Sequence, residues 1–239
     1  EEVAQRSVRF AGTDSLEPVI PHLPAGEMAR MRPSHPARIL AATLGCQGPT
    51  RTVSTACTSS AGAIAEALYL VRRGSLDVAI CGGTDALVEG FMLSGFSLLG
   101  ALSSRNDAPE RASRPFDLER DGFVLSEGAG ILIVEAEEHA RARGARPLGR
   151  ILGAGLSNNA YRITDSPPDG TGPLVSMRAA LEDARLAPDA VDYINAHGTS
   201  TQMNDLSETR GIKRALGAQA ERVRISSSKS MVGHLVAAC

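Results

Sequence analysis

Two short runs, DVAICGG at 77–83 and GILIVE at 130–135, contain almost nothing but apolar and small residues. A strand with one wet face alternates apolar and polar positions. A strand apolar throughout reads as buried on both faces, which requires helices above and below it. Helix-like stretches do lie between these runs. Residues 57–73 put Ile64, Leu68 and Val71 on one face and stop at Gly74. Further helices are read within 85–99 and at 137–144, 173–186 and 205–216, and further strands at 148–157, 191–196 and 222–226. RTVSTA (51–56) reads as extended chain leading into the first helix. GHLVAAC (233–239) reads as the first turn of another helix. Strands alternating with helices predict an α/β chain built in layers around a buried sheet.

A chain of 239 residues, 43% of them hydrophobic, can bury a substantial core as one large domain or two small ones. The net charge of −2 supplies no field for nucleic acid or for an anionic membrane. The most apolar stretch, Ala86 to Leu102, is interrupted by Glu89 and three glycines, so no membrane insertion is expected. The first residues, EEVAQRSVRF, lack the apolar centre of a signal peptide. The cysteines are Cys46, Cys57, Cys81 and Cys239, with no CxxC pair. That spacing suggests neither a metal site nor a disulfide framework, and it predicts reduced thiols in the cytoplasm.

One cysteine stands apart. Cys57 lies in VSTACTSSAGA, where an extended run turns into a helix and every neighbour is small, leaving room for a ligand to approach the sulfur. Backbone N–H groups at a helix start favour thiolate, so Cys57 is expected to be the reactive thiol and the first alkylated by iodoacetamide. Cys46 and Cys81 read as ordinary thiols. Of five histidines, His22, His35 and His139 sit in loop-like or charged contexts. His197 and His234 each follow a strand, where α/β sheets gather their ligand-binding residues. Lys229, one of only two lysines in the chain, lies five residues before His234, and Glu208 on the preceding helix is placed to pair with it. GAGLSN and GAGILI lack the third glycine of a dinucleotide fingerprint, and no phosphate-binding GxxxxGK[ST] occurs. The interval from Cys57 to His197 matches papain-like proteases, but the local signature of that family is missing.

Four motifs in order, VSTACTSSAGA, SRPFDLERDGFVLSEGAG, VDYINAHGTST and SSSKSMVGHL, resemble the β-ketoacyl synthases, the condensing enzymes of the thiolase superfamily. The resemblance runs from about Leu40 to the end and is greatest to elongating 3-oxoacyl-[acyl-carrier-protein] synthases. It implies a thiolase-like layered α-β-α-β-α architecture, here incomplete at both ends. Residues 1–145 would form part of the first half and 146–239 part of the second. It implies Cys57 as the nucleophile that takes an acyl chain from a phosphopantetheine arm, with His197 and His234 supporting the enolate formed as malonyl loses carbon dioxide. Lys229 matches the family's active-site lysine and Glu208 its carboxylate partner, expected as a partly buried pair. Thr199 and Thr201 match threonines that touch the pantetheine arm, and Phe96 a position lining the acyl pocket.

The implied partners are acyl carrier protein, acyl and malonyl thioesters and, at full length, a second copy in a homodimer. No cofactor is implied beyond the phosphopantetheine that arrives on the carrier. Ser126 stands where the family has a glycine, and residues 27–40 match poorly, so the resemblance implies no acyl-chain length. The family's first strands would precede Glu1 and its glycine-rich loop would follow Cys239. On that ground the chain alone is expected to be inactive, with His234 poorly fixed. The ketosynthase of a type II polyketide system shares every motif; GTSTQMND and GALSSRND lean toward fatty acid synthesis. A catalytically silent chain-length-factor partner typically lacks the cysteine, and Cys57 argues against it.

Overall fold

The computed structural model describes Arg30, residues 32–162 and residues 164–239. His22, the N-terminal run and the start of the 27–40 stretch lie outside these residues. Helix α1 (His35–Thr43) is followed by a 3-10 turn at Ala56–Thr58 that runs directly into α2 (Ser59–Arg72). Strand β1 (Val78–Asp85) pairs antiparallel with β2 (Gly128–Glu135), from Val78 opposite Glu135 to Asp85 opposite Gly128. Between them lies α3 (Gly90–Leu98), whose first N–H groups at Phe91 and Met92 are capped by the Glu89 carboxylate. Helix α4 (Glu137–Ala142) follows β2.

The second half runs α5 (Thr171–Ala184), β3 (Tyr193–Asn195), α6 (Gln202–Leu216), β4 (Arg224–Ser226) and the short α7 (Lys229–Val232). Strands β3 and β4 pair in parallel, with α6 as their crossover. Leu174, Ile212, Ala215 and Leu216 form the buried centre of this half, with Met177, Leu181, Val191, Ile194 and Val223 packed around them. In the first half α2 lies on β1 and buries Ala65, Ala67, Leu68 and Leu70.

Four readings of the sequence need correction. Among the described residues the β1–β2 sheet is not buried on both faces: Ile131, Leu132 and Ile133, whose side chains alternate between the faces, stay exposed. Residues 148–157 form no strand. Their backbone is held by side chains: the Arg72 guanidinium donates to the Leu152 carbonyl, and the Asp183 carboxylate accepts the Ala154 N–H at 2.9 Å. Gly155 makes this possible, since a Cβ there would sit 2.1 Å from the Ser176 carbonyl of α5. Third, GHLVAAC makes not an α-turn but a 3-10 turn at Val236–Ala238, entered through a left-handed Val236 (φ +52°). That turn packs on β1, where a Cβ at Gly83 would meet the Ala237 carbonyl at 2.0 Å. His35, read as a loop residue, opens α1.

Candidate active site

Cys57 occupies the middle of the 3-10 turn that opens α2. The turn is tight: Ala56 is left-handed at φ +51°, and the Ser59 hydroxyl both accepts the Thr55 N–H (2.9 Å) and donates to the Ala56 carbonyl (2.7 Å). Three more non-glycine residues in left-handed backbone surround the same region, Phe116, Ser200 and Val236. Such conformations cost roughly 1–3 kcal/mol each and persist where surrounding contacts over-determine them.

Cys57, His197 and His234 meet. One ligand atom from each, the sulfur and a ring nitrogen of either histidine, lies within 4.8 Å of the other two. The imidazole rings stand edge to face, 5.4 Å between centroids. His234 is 2% exposed, and its backbone is fixed on both sides: its N–H donates to the Val124 carbonyl (2.8 Å) and its carbonyl accepts the Ser126 N–H (3.0 Å). The segment carrying Ser126 therefore positions His234, and the expectation of a loose histidine is not met. The Val236 N–H donates to His234 Nδ1 at 3.1 Å. With Nδ1 as acceptor, a neutral ring carries its hydrogen on Nε2.

His197 follows β3 and is held through its backbone. Its N–H and that of Gly198 donate to the two carboxylate oxygens of Glu208, at 2.6 and 2.8 Å. This corrects the expected pairing: Glu208 and Lys229 make no ion pair within 4.0 Å, and the carboxylate serves the turn behind His197 instead. Lys229 is buried, and its charge depresses both histidines. Burial comes first in each case, taking His197 down to about 3, with Lys229 and His234 adding to it, and His234 to about 4, with Lys229 adding to it. Both rings are neutral at physiological pH.

The thiol departs from expectation. Burial, then the charge of Cys239, push the Cys57 thiol up; its own backbone N–H and Lys229 pull it down and lose. The helix start does not create a resting thiolate because desolvation outweighs it. Thr199 is buried, its hydroxyl 2.9 Å from that of Thr201. Phe96 lies edge-on to Phe123 (5.4 Å), which in turn lies edge-on to His234 (4.9 Å).

Sequence reasoning passed over Phe123, Asp205, Ser200 and Cys239. Asp205 is 1% exposed, accepts the Phe116 N–H at 2.7 Å and pairs with Arg120 at 3.4 Å. The fully buried Ser200 accepts the Arg114 N–H on its hydroxyl (3.0 Å) and the Gly122 N–H on its carbonyl (2.9 Å). Together they fasten the 113–122 loop onto the turn after His197. The signal was present in SRPFDLERDG and HGTST, but partners about 85 positions apart cannot be paired by local pattern. Cys57, His197 and His234 also form a donor set for a soft divalent cation. Ligation through Nε2 of His234 would require its hydrogen to sit on Nδ1, against the Val236 N–H, so the arrangement favours hydrogen-bond donation over metal binding.

The two histidines give the fold a pH dependence. Each is neutral when folded but protonates near 6.5 when unfolded. Below that value the unfolded chain binds more protons, and stability falls as pH drops from 6.5 toward 4, by up to about 1.4 kcal/mol per pH unit per histidine. Glu208, whose carboxyl burial raises, acts in the opposite sense. Urea midpoints measured with a chelator should therefore fall between pH 6.5 and 4.5 in the wild type, and less steeply in His234→Asn. Parallel slopes would contradict the assignment.

The comparisons with known proteins agree with one another. The family description "Beta-ketoacyl synthase, N-terminal domain" matches residues 20–140 and "Beta-ketoacyl synthase, C-terminal domain" matches residues 148–239. The chain belongs to the β-ketoacyl synthase family. The 3-oxoacyl-[acyl-carrier-protein] synthase 2 of Synechocystis sp. is 49% identical over 83% of this chain and 48% of its own length. The protein of the same name from Staphylococcus aureus is 47% identical over 82% of this chain and 48% of its own. The chain thus spans about half the length of the curated relatives it matches. Among solved structures, a type II polyketide ketosynthase in complex with its acyl-carrier protein superposes with a TM-score of 0.88 at 39% identity, over 90% of this chain and 53% of that one. A β-ketoacyl synthase from Burkholderia phymatum gives 0.86 at 37% identity, over 91% and 52%. The α/β architecture is the thiolase-like fold of these ketosynthases. No helix among the described residues is long and apolar enough to cross a membrane.

Proposed function

We propose that these residues carry the decarboxylative condensation of malonyl-[acyl-carrier-protein] with an acyl chain held on Cys57. The single observation behind this reading is the meeting of one thiol and two neutral imidazoles within 4.8 Å. The Cys57 thiol attacks the carbonyl of an acyl thioester and becomes the acyl-enzyme; the carrier's sulfur leaves and takes up the proton. A malonyl thioester then enters with its carbonyl oxygen toward His197 and His234. With Nδ1 of His234 occupied as acceptor, its Nε2–H is the donor left for the oxygen that becomes the enolate as carbon dioxide departs. The enolate carbon attacks the acyl carbonyl, the C–S bond to Cys57 breaks, and the sulfur regains a proton. The products are carbon dioxide, a 3-oxoacyl thioester two carbons longer and free Cys57.

Burial, reinforced by the charge of Lys229, keeps both rings neutral, which preserves their role as uncharged donors. Glu208 sets the backbone under His197, Thr199 and Thr201 are assigned to the pantetheine arm, and Phe96 to the acyl pocket. Acyl carrier protein is the proposed partner, a second copy of the chain the proposed oligomeric neighbour and the cytoplasm the proposed compartment. Residues 1–145 and 146–239 are proposed as the two contributing halves. The ketosynthase of a type II polyketide system is the second reading, favoured by the likeness to a polyketide ketosynthase. It comes second because the identity to 3-oxoacyl-[acyl-carrier-protein] synthases is higher.

The test is His234→Ala in the protein carrying this chain. Malonyl decarboxylation should drop by roughly 10²-fold, the scale of losing one oxyanion donor. Unchanged carbon dioxide release would reject the role of His234. Mass spectrometry after incubation with fatty acyl or polyketide primers on carrier protein separates the two readings by which one loads Cys57.

A further inference from the structure

Thr201 stands at the N-cap of α6, yet its hydroxyl makes no cap hydrogen bond. A threonine there ordinarily accepts an N–H of the first turn. Here the hydroxyl sits 2.9 Å from that of Thr199 instead. One hydroxyl donates to the other, which leaves the pair one O–H to donate and lone pairs to accept. That is the complement of an amide, and a pantetheine arm carries two amides. The carbonyls behind the pair are held by one side chain. Arg120, whose side chain is 13% exposed, donates from Nε to the Thr201 carbonyl (3.1 Å) and from Nη2 to the Gln202 carbonyl (2.9 Å). Its Nη1 donates to the Asp117 carbonyl of its own loop (2.7 Å). The Gln202 side chain donates back to the Arg120 carbonyl. A cation at the start of a helix opposes the helix dipole, so this placement does not serve α6. Asp205, in the first turn and 3.4 Å from the same Nε, offsets the charge. Ser200, between the two threonines, is left-handed at φ +69°, a conformation that persists only where outside contacts hold it.

We propose that Arg120 is a positioning residue for the pantetheine arm: its guanidinium fixes the direction in which Thr199 and Thr201 present their hydroxyls. The inference rests on the condensation reading and on its assignment of the two threonines to the arm. The planar fork reaches the carbonyls of Thr201, Gln202 and Asp117 at once while facing the Asp205 carboxylate. A lysine ammonium, a point charge on a flexible stem, does not reproduce that geometry. With the fork gone, the segment 199–202 keeps its backbone contacts to the Arg114 and Gly122 N–H groups through Ser200, but the Thr201 carbonyl loses its lateral anchor. The hydroxyl pair then turns, and the arm binds less well in the ground state and in the transition state alike.

The test compares two malonyl thioesters on the protein carrying this chain: that of pantetheine, and the S-ethyl thioester, which has no amide. Carbon dioxide release gives the rate. In Arg120→Lys the KM for malonyl-pantetheine should rise about tenfold with kcat within about twofold, the pattern of lost uniform binding. For the ethyl thioester kcat/KM should change by less than about twofold, since it offers the threonines nothing to hold. In a Thr199→Val, Thr201→Val background, adding Arg120→Lys should move the KM for malonyl-pantetheine by less than about twofold, because the clamp then has nothing to position. Equal losses on the two thioesters would make Arg120 a support of the fold alone and overturn the proposal, as would an unchanged KM. If Arg120→Lys does not fold, Gln202→Met at an exposed position breaks the same clamp more gently. There the KM for malonyl-pantetheine should rise roughly threefold, the scale of one ordinary hydrogen bond, and no rise would overturn the proposal. Titration with S-methylpantetheine followed by NMR separates the clamp from the condensation reading. Binding about tenfold weaker in Arg120→Lys than in the wild type supports the clamp even where neither thioester releases carbon dioxide. Equal affinity, or no binding to either protein, would overturn it.

Discussion

Cys57→Ala is expected to leave no acyl-enzyme and to bring condensation down to the uncatalysed background, while malonyl decarboxylation continues. The two functions part because different atoms carry them. The covalent intermediate needs sulfur; the enolate needs only the histidines, and neither is held by Cys57. Intact-protein mass after incubation with acyl carrier substrate reads the first, and carbon dioxide release the second. Loss of both together would mean that Cys57 also positions the malonyl group. Acyl mass retained in the variant would remove it as nucleophile. The structure also changes the order in which small reagents should label the thiols. Cys46 is exposed and Cys57 is a shielded thiol whose pKa burial raises, so iodoacetamide should reach Cys46 first in the free protein. On the proposed reading, selectivity for Cys57 is expected with an acyl carrier substrate and not with a reagent that samples exposure.

Glu208→Ala should produce the largest loss of stability at the site. The carboxylate accepts the His197 and Gly198 N–H groups with one oxygen each, and Glu208 is 6% exposed. An unsatisfied buried donor costs about 1–3 kcal/mol, so two cost about 2–6 kcal/mol. His197 loses its anchor at the same time, and the rate should fall with the stability. Glu208→Gln keeps one acceptor oxygen, so roughly half the loss is expected, again at about 1–3 kcal/mol per orphaned donor. Urea denaturation of the three proteins checks the order. Equal stability of wild type and Glu208→Ala would show that solvent reaches the two N–H groups.

Helix α2 was legible because Ile64, Leu68 and Val71 share a face, and α6 and α5 emerged within a few residues of their predicted ends. The run at 148–157 was not. Its apolar composition matches a strand, yet its hydrogen bonds go to Arg72 and Asp183, residues on two helices that local pattern cannot bring to it. The Glu208 error has the same origin. A carboxylate and a lysine near two histidines suggest a pair on charge alone. The distances show the carboxylate turned toward two backbone N–H groups, with no ion pair to Lys229.

Residue types and their order already carried much of the site: a thiol among small neighbours at a strand-to-helix turn, two histidines after strands, and an α/β alternation. Those depend on side-chain size, local periodicity and turn chemistry, all of which act within a few residues. The state of each group came from folding. Burial raised Cys57 and lowered both histidines, the Val236 N–H chose the tautomer of His234, and the packing of one turn on another set Cys239 beside the same ring. Some of these contacts are short in sequence, as between Val236 and His234, but the burial that shifts the thiol and the rings comes from distant segments, as where Ser60 meets Cys239, and it exists only once the chain has closed on itself.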